Sequence, residues 1–148
     1  MAEWCQVKKH HHTAVGLYAA AFAADPKLAD DLSSGFRYNA ACFAALAVAG
    51  QGEDAAKLDD KERTRLRKQA LDRLEAGLAL CTRQLDSDRP ADRAAVQQVL
   101  RHWQKDSDLA GIRDVTTLAK LSAEERAAFE KFWADVAALL KKAEGKTK

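Results

Sequence analysis

Apolar residues in this chain recur in steps of three and four almost from end to end, and they never alternate over the length of a strand. Leu66, Ala70, Leu74, Leu78, Cys81 and Leu85 form one such line. A period near 3.6 places apolar side chains on one face of a helix, and a strand needs a period of two. The composition agrees. Alanine, the best helix former, supplies about a fifth of the residues, and β-branched residues are sparse. The two prolines, Pro26 and Pro90, fall between the periodic stretches. An all-α fold follows.

The pattern divides the chain into helices. Met1 to about Lys9 reads as a short helix, and His10, His11 and His12 read as a turn. A helix from about Thr13 to Ala24 carries Ala14, Leu17, Tyr18, Ala21 and Phe22 on one face, and Asp25-Pro26 ends it, because the residue before proline avoids the α region. Lys27 to Gly35 reads as a connector with room for one helical turn. Phe36 to Ala49 is apolar and small nearly all round, as expected of a helix sandwiched between neighbours, and Gly50-Gln-Gly52 stops it. A long helix runs from about Asp59, an N-cap with Glu62 three residues on, to Leu85, with Arg63, Arg65, Arg67 and Lys68 on its solvated side. Pro90 opens the next helix, lined by Val96, Leu100 and Trp103. Lys105 to Leu121 reads as irregular, with short turns near Leu109–Ile112 and Val115–Lys120. Ser122 and Glu125 form a capping box for a last helix that buries Phe129, Phe132, Trp133, Val136, Leu139 and Leu140.

The 148 residues suit a single domain, with residues 1–85 and 90–143 as its two parts and 144–148 as a frayed tail. Lys plus Arg number 24 and Asp plus Glu 22, so the net charge is only +2, which gives no reason to expect nucleic acid or a membrane as partner. Cys5, Cys42 and Cys81 are odd in number and far apart, as expected of reduced core thiols in a cytoplasmic protein without a signal peptide.

One helix carries a repeat signal. The tetratricopeptide repeat is a helix pair of about 34 residues. Its second helix has Ala, an aromatic four residues on, Ala three further on and Pro five further on, and Ala14, Tyr18, Ala21 and Pro26 stand at that spacing. Small residues let two helices approach, and the aromatic fills the gap. Tyr38-Asn39-Ala40-Ala41-Cys42 resembles the first helix of the next repeat, with Ala70, Leu74 and Gly77 in its partner. That second pair departs from the pattern through a segment of some fifteen residues between its helices and the lack of a closing proline. More widely, LYAAAFAADPKLADD at 17–31, RYNAAC at 37–42, ADRAAVQQ at 91–98, HWQKD at 102–106 and WADVAALL at 133–140 resemble the C-terminal region that follows the kinase and repeat portions of large bacterial serine/threonine protein kinases.

The resemblance implies antiparallel helix pairs in a short right-handed solenoid with a C-terminal capping helix, and a non-catalytic role in binding a protein or peptide. First helices line the groove of such solenoids, which here implicates Tyr38, Asn39, Cys42, Phe43 and Leu46. By analogy with clamp-type repeats, Arg93, Gln97 and Arg101 would add polar contacts. A purely structural end-cap is the alternative. The resemblance also implies that Met1 falls midway through a helix pair, so that Met1 and Trp4 lie near an apolar end face through which the chain self-associates weakly. Kinase motifs are absent from the sequence, and no nucleophile, cofactor or metal constellation stands out. His10, His11 and His12 are the one weak metal candidate, since adjacent helical residues point in different directions and cannot share one ion.

Overall fold

The computed structural model describes residues 10–32 and 34–145, and all regular structure among them is helical. The expected helix before Lys9, Cys5, and the self-association face at Met1 and Trp4 lie outside the described residues. The helices are α1 (His11–Ala24), α2 (Lys27–Asp30), α3 (Phe36–Val48), α4 (Asp60–Leu85), α5 (Pro90–Lys105), a 3-10 helix (Ser107–Ile112), α6 (Val115–Leu118) and α7 (Ala123–Gly145). Contacts divide the chain into two compact units, Met1–Gly77 and Leu78–Lys148, rather than the parts 1–85 and 90–143 read from the sequence. The boundary falls inside α4 at Gly77, a weak helix former that the helix runs through without a loop.

In the first unit α1 packs on α3, and α2 packs on both. The helix ends show why the segments stop where they do. Asp25 is extended at φ −143°, as the residue before a proline prefers, and its N–H still donates to the Ala21 carbonyl. At the end of α3 the N–H of Gly50 donates to Ala47 and that of Gln51 to Leu46. This is a Schellman closure, and it requires the left-handed φ of +77° that Gly50 supplies without a Cβ penalty. Six consecutive residues of α3, Ala40 to Ala45, are buried. At 100° per residue they sample the whole circumference. Much of the core of this unit is therefore alanine, joined by Leu66, Ala70 and Leu74 from α4.

The second unit has a core of large side chains. Phe129, Phe132, Val136, Leu100, Leu109 and Ile112 are all at most 2% exposed. α5 packs on α7. Trp103 stacks on Phe132 at 6.3 Å, and Phe132 meets Trp133 edge to face at 4.9 Å. Trp133, expected to be buried, is half-buried because its indole N–H reaches the Ile112 carbonyl at 2.9 Å and anchors the end of the 3-10 helix. Asp106 caps the start of that helix through the Asp108 N–H. Arg113 binds the Trp103 and Asp106 carbonyls at the end of α5. Pro90 begins α5 and Ser122 caps α7 through the Glu125 N–H, both as expected.

Candidate functional site

The three histidines do not form a turn. α1 begins at His11, so His11 and His12 lie in its first turn. The N-cap, His10, makes no capping bond with its side chain. The cap comes from 42 residues away. Asp54 accepts from the N–H of His12 at 3.2 Å, and its second oxygen accepts from the Thr13 N–H at 2.8 Å and the Thr13 hydroxyl at 2.7 Å. Burial acts to raise the Asp54 carboxyl pKa, but the bonds from Thr13 and His12 together outweigh it and hold the group below its ordinary value. A carboxylate on the first N–H groups also complements the helix dipole.

The three rings diverge. His10 lies 3.7 Å from Glu53 and 4.0 Å from Asp54. His11 is buried, with its ring 5.7 Å from that of Phe43. His12 Nε2 is 3.2 Å from Glu62, which also receives two bonds from Arg65. Those Arg65 bonds dominate the pushing of the Glu62 carboxyl down to about 2, with His12 adding to them against the effect of burial. Beside this group lies an open recess of about 310 Å³ lined by His12, Thr13, Val15, Gly16, Ala19, Arg65 and Gln69. Its cation and imidazole are already matched by Glu62.

Two expected outcomes follow. Asp54→Ala removes the cap of α1 and lowers stability by about 1–2 kcal/mol, read by thermal melting against Glu53→Ala as a near-neutral control. Glu62 has a folded-state pKa depressed to about 2, so its contribution is present above the unfolded value near 4.5 and is lost as pH falls toward 2, and Asp54, depressed from 3.8, acts in the same sense. Glu62→Gln therefore flattens the melting-temperature profile over that window, and a profile as steep as the wild type's counts against the assignment.

α4 departs from the expected solvated arginine face at Arg63. Its guanidinium donates to the Val48 carbonyl at 2.7 Å, at the end of α3, and to the Leu58 carbonyl at 3.2 Å. Asp59 caps α4 through the Glu62 N–H as expected.

The groove candidates separate into two sets. On α3, Cys42 and Phe43 are buried and cannot meet a ligand without rearrangement, Tyr38 and Leu46 are half-buried, and Asn39 is exposed. Phe36 stands one turn before Asn39 and is 38% exposed. Tyr18 joins it to a ring cluster, 6.4 Å from Phe36, 5.8 Å from Phe22 and 5.9 Å from Phe43, so rings of α1 and α3 meet there. In the second unit Gln97 donates to the Ala143 carbonyl at 3.1 Å, and Arg101 pairs with Glu144 at 2.6 Å. Both hold the last turn of α7. Arg93 lies 3.9 Å from Asp88. The sequence reading missed the exposed ring of Phe36 and the guanidinium of Arg73, which lies 4.8 Å from the Phe22 ring centre. Only a long-range contact marks the second.

The thiol of Cys81 is buried, which raises its pKa to about 11 and makes it a poor nucleophile. No helix among the described residues is long and apolar enough to cross a membrane. Comparison with protein-family models, curated proteins and solved structures gives no match.

Proposed function

We propose that the chain is a non-catalytic helical module that binds a protein or peptide. The observation that carries this reading is the aromatic surface of the first unit, where half-buried Tyr18 and Phe22 adjoin exposed Phe36 and Asn39. Aromatic side chains with part of the ring in solvent offer large contact area at low entropic cost, and they dominate binding surfaces. The finer reading is that the module is a fragment or relative of the tetratricopeptide region of a bacterial serine/threonine kinase. Its support is the Ala14, Tyr18, Ala21, Pro26 spacing together with the stacking of Tyr18 on Phe43 across α1 and α3. The engagement of Gln97 and Arg101 with α7 moves the proposed surface onto the first unit.

A peptide array probed with the purified chain tests the proposal. Binding to a subset of sequences, weakened by Phe36→Ser and Asn39→Ala in correctly folded protein, is the expected result. Unchanged binding in Asn39→Ala removes that residue from the site. Absence of binding to every sequence sinks the proposal and favours a structural end-cap.

A further inference from the structure

Four cations along α4 have matched partners. Arg63 binds two carbonyls, Arg65 binds Glu62, Arg67 donates to the Thr64 hydroxyl, and Lys68 holds both oxygens of Asp72 at 3.0 Å. Arg73 makes no hydrogen bond or ion pair among the described residues, and its Nε is buried without an acceptor. Its guanidinium lies over Phe22, where the ring face attracts a cation but accepts none of the fork's N–H bonds in the manner of a carboxylate. The neighbouring acid, Asp72, is already engaged by Lys68. Burial and then the charge of Arg37 disfavour the Arg73 cation, and the nearby charge of Asp72 offsets them only in part. Arg37 is itself occupied, donating to the Ala29 carbonyl at 2.7 Å and to Asp30 at 2.7 Å.

We propose that Arg73 and the rings of Phe22, Tyr18 and Phe36 bind an acidic-apolar peptide segment of a partner protein, with one Asp or Glu carboxylate on the Arg73 fork and an adjacent apolar side chain on the rings. This rests on the interaction-module reading and names the chemistry of its ligand. The Nε is sealed from any ligand, so a planar carboxylate would meet the terminal N–H groups of the fork, which can donate two parallel bonds to it. One cation without a hydrogen-bonded partner among the described residues suits one negative charge. A phosphate carries up to two charges and is held by clusters of cations, and the second arginine here is committed to Asp30. The apolar half of the ligand follows from the rings, whose partly exposed edges continue from Phe22 through Tyr18 to Phe36.

The test is an array of twelve-residue peptides in which a Glu stands beside Leu or Phe, each paired with a Gln counterpart, with Kd measured for the best binder by fluorescence anisotropy. The expected result is that Glu→Gln in the peptide, or Arg73→Gln in the protein, weakens binding roughly tenfold or more. Arg73→Glu should recover binding to the same peptide carrying Lys in place of Glu, a reversal that a merely structural arginine would not give. If either protein variant fails to fold by circular dichroism, the peptide substitution on wild-type protein decides alone. Peptides that bind regardless of the Glu overturn this inference and leave the module reading intact. No bound peptide in this set, when the general array gives binders, overturns this inference alone, and no binder on either overturns both. Stronger binding of a phosphopeptide, or a dimer in sedimentation that Arg73→Gln dissolves, reassigns the site to phosphate or to a second copy and overturns the carboxylate assignment.

Discussion

Phe132→Ala lowers the unfolding free energy by about 3–5 kcal/mol, a large share of what a domain of this size holds. Phe132 is 1% exposed and sits between Trp103 and Trp133. Removing its ring loses the transfer energy of the buried atoms and leaves a cavity walled by two indoles. Neither can collapse freely into it, because Trp133 is tied to the Ile112 carbonyl and Trp103 has its backbone carbonyl bound by Arg113. Phe132→Leu keeps most of the volume and costs less than half as much. Val115→Ser, at a position 83% exposed, changes stability by no more than about 0.5 kcal/mol. Urea denaturation followed by tryptophan fluorescence measures all three. Hydrogen exchange should show the loss of protection concentrated in α5 and α7. A loss below about 1 kcal/mol for the alanine variant would mean that the core is not organised around this ring.

The same contrast explains what could be read in advance. The helices were legible because their signals are local. Pro90, Asp59 with Glu62, Ser122 with Glu125, and Gly50 each act within a few residues of their own position. The irregular stretch 105–121, with its two short turns, was legible for the same reason. Where the reading failed, the deciding partner is distant in sequence. α1 starts two residues before Thr13 because Asp54 caps it, and nothing near His11 announces that. Arg63 looked like one more solvated cation until Val48 and Leu58 supplied its acceptors. Trp133 leaves full burial to reach Ile112. On the candidate site, the resemblance named Asn39, Cys42 and Phe43 alike, and it did not separate Cys42 and Phe43, which face inward, from Asn39 and Phe36, which do not. Helical periodicity carries little such information in α3, because that helix is apolar on every side. The Arg73 contact with Phe22 spans 51 positions and leaves no local mark.

That all-round burial gives the second large effect. In an amphipathic surface helix some face tolerates a charge. In α3 the stretch Ala40 to Ala45 offers none, so Ala41→Glu and Ala44→Glu, which lie about 60° apart around the axis, should each cost about 3 kcal/mol or more. Both alanines are 0% exposed, so a carboxylate introduced there must either remain charged without solvent or force the neighbouring helices apart. Ala44→Leu tests the same packing without charge and should cost about 1–3 kcal/mol, because a side chain with no exposed surface leaves no room for the extra carbons. Asn39→Glu, one turn earlier and exposed, should be nearly neutral. Thermal melting of the four variants separates two arrangements. A steep penalty at 41 and 44 with tolerance at 39 means α3 is enclosed through its middle and open only at its N-terminal turn, the turn that carries Phe36. Tolerance at either alanine would mean a solvent-facing side that the sandwiched helix lacks, and the aromatic surface would then no longer mark where α3 opens to a partner.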